Sequence, residues 1–439
     1  MYQKTVLPNK LRVISNHLKD RESAAIGIWV GVGGRFECDG IRGAAHFLEH
    51  LLFRGSLRYS CNEIKGTIEG VGGSVNAFTG EEQTCYFAKV PAKHFETTLD
   101  ILSDMVFFPL LQKNDMERER TIILEEIKMY RDRPQYYVLE LLDGLVWPDH
   151  PLGKPLAGTR ETVGGMTQEG LRAFHQAHYS PDNVVVSVCG NFSHDQVVRI
   201  LHDKLENFSS TPASPFVPFN GEQRSFRTNL FRKKTEQMHV ALGFPSLPAD
   251  HPDVYAQAIL SVLLGGNMSS RLFDELREKR GLAYSVYSTT KAYQDTGLFM
   301  IKAGVDNAKV VEAVDLILKL VRQMKRGTVR ETEFVRAREY FLGQFLLALE
   351  DTMEHMMWVG ESLIERDRIR TLGEVVYRVN SLTPEDIRRV AGDIFKEKRL
   401  NLALVGDLTD DQTGRLEGMV RGGKEEPAKV EAVLQKSET

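Results

Sequence analysis

Cysteine is scarce in this chain. Its four cysteines (Cys38, Cys61, Cys85 and Cys189) are scattered through 439 residues, and no Cys-x-x-Cys pair occurs. A disulfide framework is thereby excluded, a structural zinc knuckle is disfavoured, and isolated reduced thiols in a reducing compartment are expected. Charge of one sign is missing as well: 56 basic residues are interspersed among 60 acidic ones, for a net charge of -4. Nucleic acid demands a concentrated basic field, and none is present. No long hydrophobic run exists either. The most apolar window, residues 24–34, is shorter than the roughly 20 residues a bilayer-spanning helix needs. The opening MYQKTVLPNKLRVISNH does not join a basic start to an apolar stretch and a small-residue cleavage site, so a signal peptide is not indicated. These absences lead us to expect a soluble, cytoplasmic protein with no membrane or nucleic-acid partner. What remains is ordinary globular composition, 42% hydrophobic and 26% charged, at a length suited to two or three domains.

A Ser/Pro-rich stretch, SSTPASPFVPFNG at 209–221, reads as a linker between halves of similar length. The halves repeat: residues 165–192 align without gaps on 381–408, a constant offset of 216. Each copy runs from a threonine (Thr167, Thr383) through an amphipathic helix into an apolar strand ending in glycine, VVVSVCG or LNLALVG. The threonines suit helix N-caps, with a carboxylate in the first turn. Strands mixed with long helices predict an α+β fold of two homologous domains from an internal duplication, each a mostly antiparallel sheet with helices packed on one face. The expected boundaries are 1–208 for the first domain, 209–228 for the linker, 229–424 for the second domain and 425–439 for a charged, frayed tail.

The chemistry concentrates in AAHFLEHLLF, a segment with helical apolar spacing and no internal Gly or Pro. His46 and His50, four apart, face the same way, and two imidazoles so placed can share one Zn²⁺. Glu49 lies between them in sequence. The order His-x-x-Glu-His is the reverse of the commoner zincin arrangement, an inverzincin signature. A catalytic zinc also needs a third protein ligand. The helix MERERTIILEEIKMY offers Glu119 and Glu126, seven apart and so on one face, with Glu125 about 100° round. Spacing does not choose between Glu125 and Glu126.

These residues resemble the pitrilysin family of metallopeptidases, in particular its mitochondrial and bacterial processing-peptidase-like branch. The likeness covers nearly the whole chain and includes GGSVNAFTGEEQT at 72–84, HPLGKPLAGT at 150–159, YSPDNVVVSVCGNF and SSRLFDELREKRGLAYSV at 269–286. The family places its glutamate ligand about 76 residues after the second histidine, which selects Glu126, and a supporting glutamate seven residues earlier, which is Glu119. The resemblance implies one Zn²⁺ per subunit held by His46, His50 and Glu126, with Glu49 as general base. It implies that Asn76 and Ala77 lie on an edge strand that pairs with an extended substrate, and that Arg277 and Tyr284 contact the substrate carbonyl and the developing oxyanion. Larger relatives carry four such domains and this chain carries two. A homodimer with composite active sites is therefore expected, acting as an endopeptidase on unfolded or short peptides. Two alternatives share the fold: the catalytic subunit of a heterodimeric peptidase, and a noncatalytic core or assembly subunit.

Overall fold

Strands that are apolar at every position need cover on both faces, and the two sheets of this protein obtain it. The computed structural model describes residues 2–208 and 215–421. The first part of the linker and the tail at 425–439 lie outside the described residues. The chain forms two compact units, Met1–Lys128 with Lys154–Val217 and Gln344–Thr371, and Met129–Gly153 with Pro218–Gly343 and Leu372–Thr439.

The first unit is built on strands β1 (Tyr2–Val6), β2 (Arg12–His17), β3 (Ser23–Val30), β4 (Ser74–Thr79), β5 (Thr84–Pro91) and β6 (Val184–Gly190). Their order is β1-β2-β6-β3-β5-β4, antiparallel except for the β2–β6 pair. On one face Ile26, Ile28, Val186 and Val188 pack with Phe47 and Leu48 of helix α1 (Ala44–Leu52) and with Leu99 and Leu102 of the Phe95–Phe107 helix. On the other face Ile14, Trp29, Cys85 and Val185 lie beneath Val359 and Leu363 of the Thr352–Arg366 helix. The Trp29 indole N–H donates to Ser187 Oγ at 2.9 Å. Gly360 allows the helix to come this close, because a Cβ there would stand 2.0 Å from Trp29 Nε1.

The second unit carries β7 (Arg227–Arg232), β8 (Met238–Ser246), β9 (Ala283–Ala292), β10 (Gly297–Val305) and β11 (Asn401–Gly406), in the order β7-β11-β8-β10-β9 with only β7–β11 parallel. Val138, Leu142 and Val146 of the Pro134–Val146 helix cover Ala241, Leu298, Ala403 and Val405. The Pro384–Ile394 helix lies against β8 and the Val254–Ser261 helix.

The fold is thus α+β with two similar domains, as the sequence leads one to expect. Apart from the extra β1, the strand orders match one for one. The repeat is visible in detail: helices Gln168–His178 and Pro384–Ile394 differ by 216 at both ends, and the side chains of Thr167 and Thr383 accept from Gly170 N and Asp386 N. Two features go beyond the expectation. Each sheet has a helix on its far face as well as a main helical layer. That far-face helix comes from the other half of the sequence, so packing crosses the contiguous boundaries drawn at 1–208 and 229–424. No helix among the described residues is long and apolar enough to cross a membrane.

Candidate metal centre

Helix α1 buries Ala44, Ala45, Phe47, Leu48, Leu51 and Leu52, which leaves His46, Glu49 and His50 on the face the core does not consume. The helix starts at Gly43, whose φ of 91° and lack of room for a Cβ (2.6 Å from Ala157 O) require glycine. A glycine supplies no capping side chain. The carboxylate of Glu37 takes that place, accepting from Gly43 N and Ala45 N at 2.8 Å each. Burial pushes the Glu37 carboxyl up to about 7, against the downward pull of the Ala45, Gly43 and Ala44 N–H groups and of Arg42.

The Lys113–Asp132 helix brings Glu119 and Glu126 to the same place. Glu126 Oε2 is 3.8 Å from His46 Nε2 and 3.6 Å from His50 Nε2. Donor atoms of His46, His50 and Glu126 all lie within 4.8 Å of one another, the only such group among the described residues. Glu125 points away, exposed and ion-paired with Lys128. A tetrahedral zinc with bonds of 2.0–2.1 Å separates its ligand atoms by about 3.3 Å, so the two glutamate–histidine pairs suit the ion after a contraction of a few tenths of an ångström. The histidine donor atoms, within 4.8 Å of each other, would have to draw together to complete the set.

The electrostatics suit the same use. Burial, with the nearby His50 second, pushes His46 down to about 4, keeping it a neutral imidazole with a lone pair to give. Its Nδ1 is buried with no hydrogen-bond partner among the described residues. His50 Nδ1 meets Glu119 Oε2 at 2.8 Å. Burial alone lowers the His50 pKa, but the hydrogen bond and charge of Glu119, aided by Glu126 and Glu49, raise it overall. Glu119 is itself buried, which raises its pKa; the hydrogen bonds from His50 and Arg54 and the charge of Arg54 bring it below its ordinary value. Burial raises Glu49, although the Thr79 hydroxyl donates to its Oε2. A cleft of about 460 Å³ opens beside these groups, lined by Glu49, His50, Phe53, Arg54, Asn76 and Glu119 among others.

Asn76 and Ala77 lie on β4, the outermost strand of the first sheet, paired with Phe87 and Tyr86 of β5 on one side only. Arg277 and Tyr284 belong to the second unit. Arg277 lies in a π-helical turn, Phe273–Glu278, and its guanidinium carbon stands 5.8 Å from the centre of the Tyr284 ring. Tyr284, on β9, is 75% exposed. Sequence reasoning gave no role to three residues of this neighbourhood: Glu37, Arg54 and Thr79. For Arg54 a signal existed, since it is the fourth residue after His50. Thr79 ends the strand already suspected of binding substrate. Nothing in the pattern pointed to Glu37.

An α+β chain of two similar units thus brings two histidines and a glutamate together beside a second glutamate, a donor set that could hold one metal ion. Comparison with known proteins agrees. Residues 12–160 match the model of insulinase (peptidase family M16), and residues 165–341 match that of the peptidase M16 inactive domain. The chain belongs to peptidase family M16, the pitrilysin family. It is 38% identical to an uncharacterized zinc protease of Streptomyces coelicolor, over 95% of this chain and 92% of that one. It is 35% identical to one of Bacillus subtilis, over 90% and 96%. A protease from Helicobacter pylori has a similar structure, with a TM-score of 0.87 at 25% identity, covering 92% of this chain and 99% of that one.

Proposed function

We propose that this protein is a zinc-dependent endopeptidase of the processing-peptidase-like branch, hydrolysing bonds in unfolded or short peptides. The observation that carries the reading is the convergence of His46, His50 and Glu126, with Glu49 on the same face of α1. His46, His50 and Glu126 would hold one zinc per subunit, with Glu119 orienting His50. Zinc, when bound, supplies a Lewis acid and lowers the pKa of the attacking water.

The remaining work falls to the chain's own groups. Glu49, with Oε2 held by Thr79, takes a proton from the water as its oxygen attacks the scissile carbonyl carbon. Glu49 then passes that proton to the leaving amine nitrogen as the C–N bond breaks. The outer edge of β4 at Asn76 and Ala77, where the Ala77 N–H donates to Asn76 Oδ1 in the free protein, pairs with the extended substrate in place of that contact. Tyr284 and Arg277 donate to the carbonyl oxygen as charge develops on it. We propose a homodimer in which they serve the zinc of the partner subunit, in the cytoplasm.

A quenched-peptide assay on the purified chain, run with zinc analysis and size-exclusion chromatography, tests this. Zinc-loaded wild type should cleave, and Glu49→Gln should not. Zinc-loaded but inactive wild type, rescued by a separate partner chain, would replace the homodimer with a heterodimer's catalytic subunit. Zinc-loaded wild type that stays inactive with every partner would sink the enzyme reading. For trans action, inactive His50→Ala and Tyr284→Phe subunits that exchange yet recover no activity on mixing would count against it.

A further inference from the structure

We propose that Arg54 is a positioning residue for the metal: acting through Glu119, it holds the His50 imidazole with Nδ1 on the carboxylate and Nε2 turned towards His46 and Glu126. The inference rests on the metal-centre reading above and names a group that reading does not include.

Arg54 comes immediately after Phe53, the C-cap of α1, and its backbone N–H donates to Leu51 O at 2.9 Å. From there its Nε and Nη2 both reach Glu119 Oε1. The other oxygen of that carboxylate, Oε2, meets His50 Nδ1 at 2.8 Å. One carboxylate thus has each oxygen committed to a different residue of the same short segment, His50 and Arg54.

The last torsion of a glutamate side chain is broad and roughly two-fold. A hydrogen bond to His50 alone therefore leaves the carboxylate plane, and with it the imidazole plane, poorly defined. Two guanidinium N–H groups on one oxygen remove that freedom. Lysine would supply the charge as a single point without the planar grip. Burial makes the contact matter: the Glu119 side chain is only 4% exposed, and a buried carboxylate with one oxygen unsatisfied is costly. Arg54 is 29% exposed along its side chain, so replacing it opens no core cavity. Glu119 also stands seven residues before Glu126 on the Lys113–Asp132 helix. The same grip thus ties that helix to α1 and sets the span from Glu126 to the two histidines.

The test measures zinc affinity of the full chain by competition with a chromogenic chelator, with thermal melting of the metal-free protein as a check on folding. Glu119→Gln should weaken zinc binding about 10–100-fold. Arg54→Met should weaken it about tenfold, and Arg54→Lys should fall between Arg54→Met and wild type. In the Glu119→Gln background, Arg54→Met should add less than about twofold, because its effect travels through the missing carboxylate. Zinc affinity of Arg54→Met within about twofold of wild type would overturn the proposal, and so would losses that multiply in the double variant. If Arg54→Met fails to fold, Arg54→Lys decides: intermediate affinity supports the proposal, and wild-type affinity overturns it. A wild-type chain that takes up no zinc overturns the metal-centre reading itself and this inference with it. A zinc-binding wild type with an unaffected Arg54→Met overturns this inference alone.

Discussion

The two units share one strand order, yet the helix placed between equivalent strands differs in what it offers. In the first unit α1 follows β3 and precedes the edge strand β4; in the second the Val254–Ser261 helix follows β8 and precedes the edge strand β9. Helix α1 buries one face and presents His46, Glu49 and His50 on the other. The helix VYAQAILS has neither histidine nor glutamate, and six of its eight residues are buried, Ala256, Ile259 and Leu260 among them. The frame is indifferent to which kind of helix it carries, because only the buried face is read by the core. Residue types able to ligate a metal sit on the face that folding leaves free, and the second unit keeps the architecture without them. In our reading the second unit contributes Arg277 and Tyr284 instead.

The division of labour breaks most sharply at Glu49. In the proposed mechanism, Glu49→Gln keeps the helix and the three proposed ligands but removes the proposed base. Peptide turnover should fall by about 10²–10⁴ in kcat with zinc content unchanged, and a variant that retains kcat would assign the proton transfer elsewhere. A smaller loss is expected from the second unit. Tyr284→Phe removes one hydroxyl that is 75% exposed as a residue, so it should melt like wild type and bind zinc equally. Its kcat should drop about 10²-fold if the hydroxyl donates to the oxyanion. An unchanged kcat would restrict the chemistry to the first unit.

Stability gives a third contrast. The Thr352–Arg366 helix seals the far face of the first sheet through Gly360, over Trp29, whereas Gly343, in the Glu331–Ala348 helix, has nothing among the described residues within 4 Å of a Cβ. Gly360→Val should therefore cost about 3 kcal/mol or more through overpacking. Gly343→Ala should instead stabilise by about 0.5–1 kcal/mol through helix propensity. Urea denaturation measures both, and a neutral Gly360→Val would mean that the helix is free to lift away from the sheet.

Much of this was legible in the chain itself, for physical reasons. The repeat shows because the cap, the amphipathic helix and the buried strand at 165–192 and 381–408 are local structures with local signals. His46, Glu49 and His50 show because helical period turns spacing into a shared face. The choice of Glu126 over Glu125 does not follow from spacing, since either faces a plausible direction until the helix is docked. Resemblance supplied it, and the docked helix places Glu126 beside the histidines and Glu125 beside Lys128. The exchange of the Pro134–Val146 and Thr352–Arg366 helices was not legible: an apolar face states that it needs a partner and says nothing of which sheet provides one. Glu37 escaped for a similar reason, because its job is defined by two backbone N–H groups that carry no side-chain signature.

The smallest effect comes from how the two equivalent helices begin. Val254–Ser261 starts after Asp253, whose carboxylate is held by Arg389 at 2.7 and 2.8 Å, an ion pair at the surface. Helix α1 starts after Gly43 and borrows the buried Glu37. Burial raises the Glu37 carboxyl to about 7 despite its N–H partners, well above the roughly 4.3 of an unfolded glutamate. The folded state therefore binds more protons at this group than the unfolded state between those values. Its contribution to stability is fully present below the unfolded pKa and is lost as pH rises through about 7. Glu37→Gln cannot titrate. From pH 5 to pH 6.5, the stability of wild type relative to this variant should fall by about 2 kcal/mol, since each pH unit in that window is worth about 1.4 kcal/mol. Urea unfolding of both proteins across that range measures the difference. Parallel curves would show that the N–H groups of α1 outweigh burial and keep Glu37 ionised throughout.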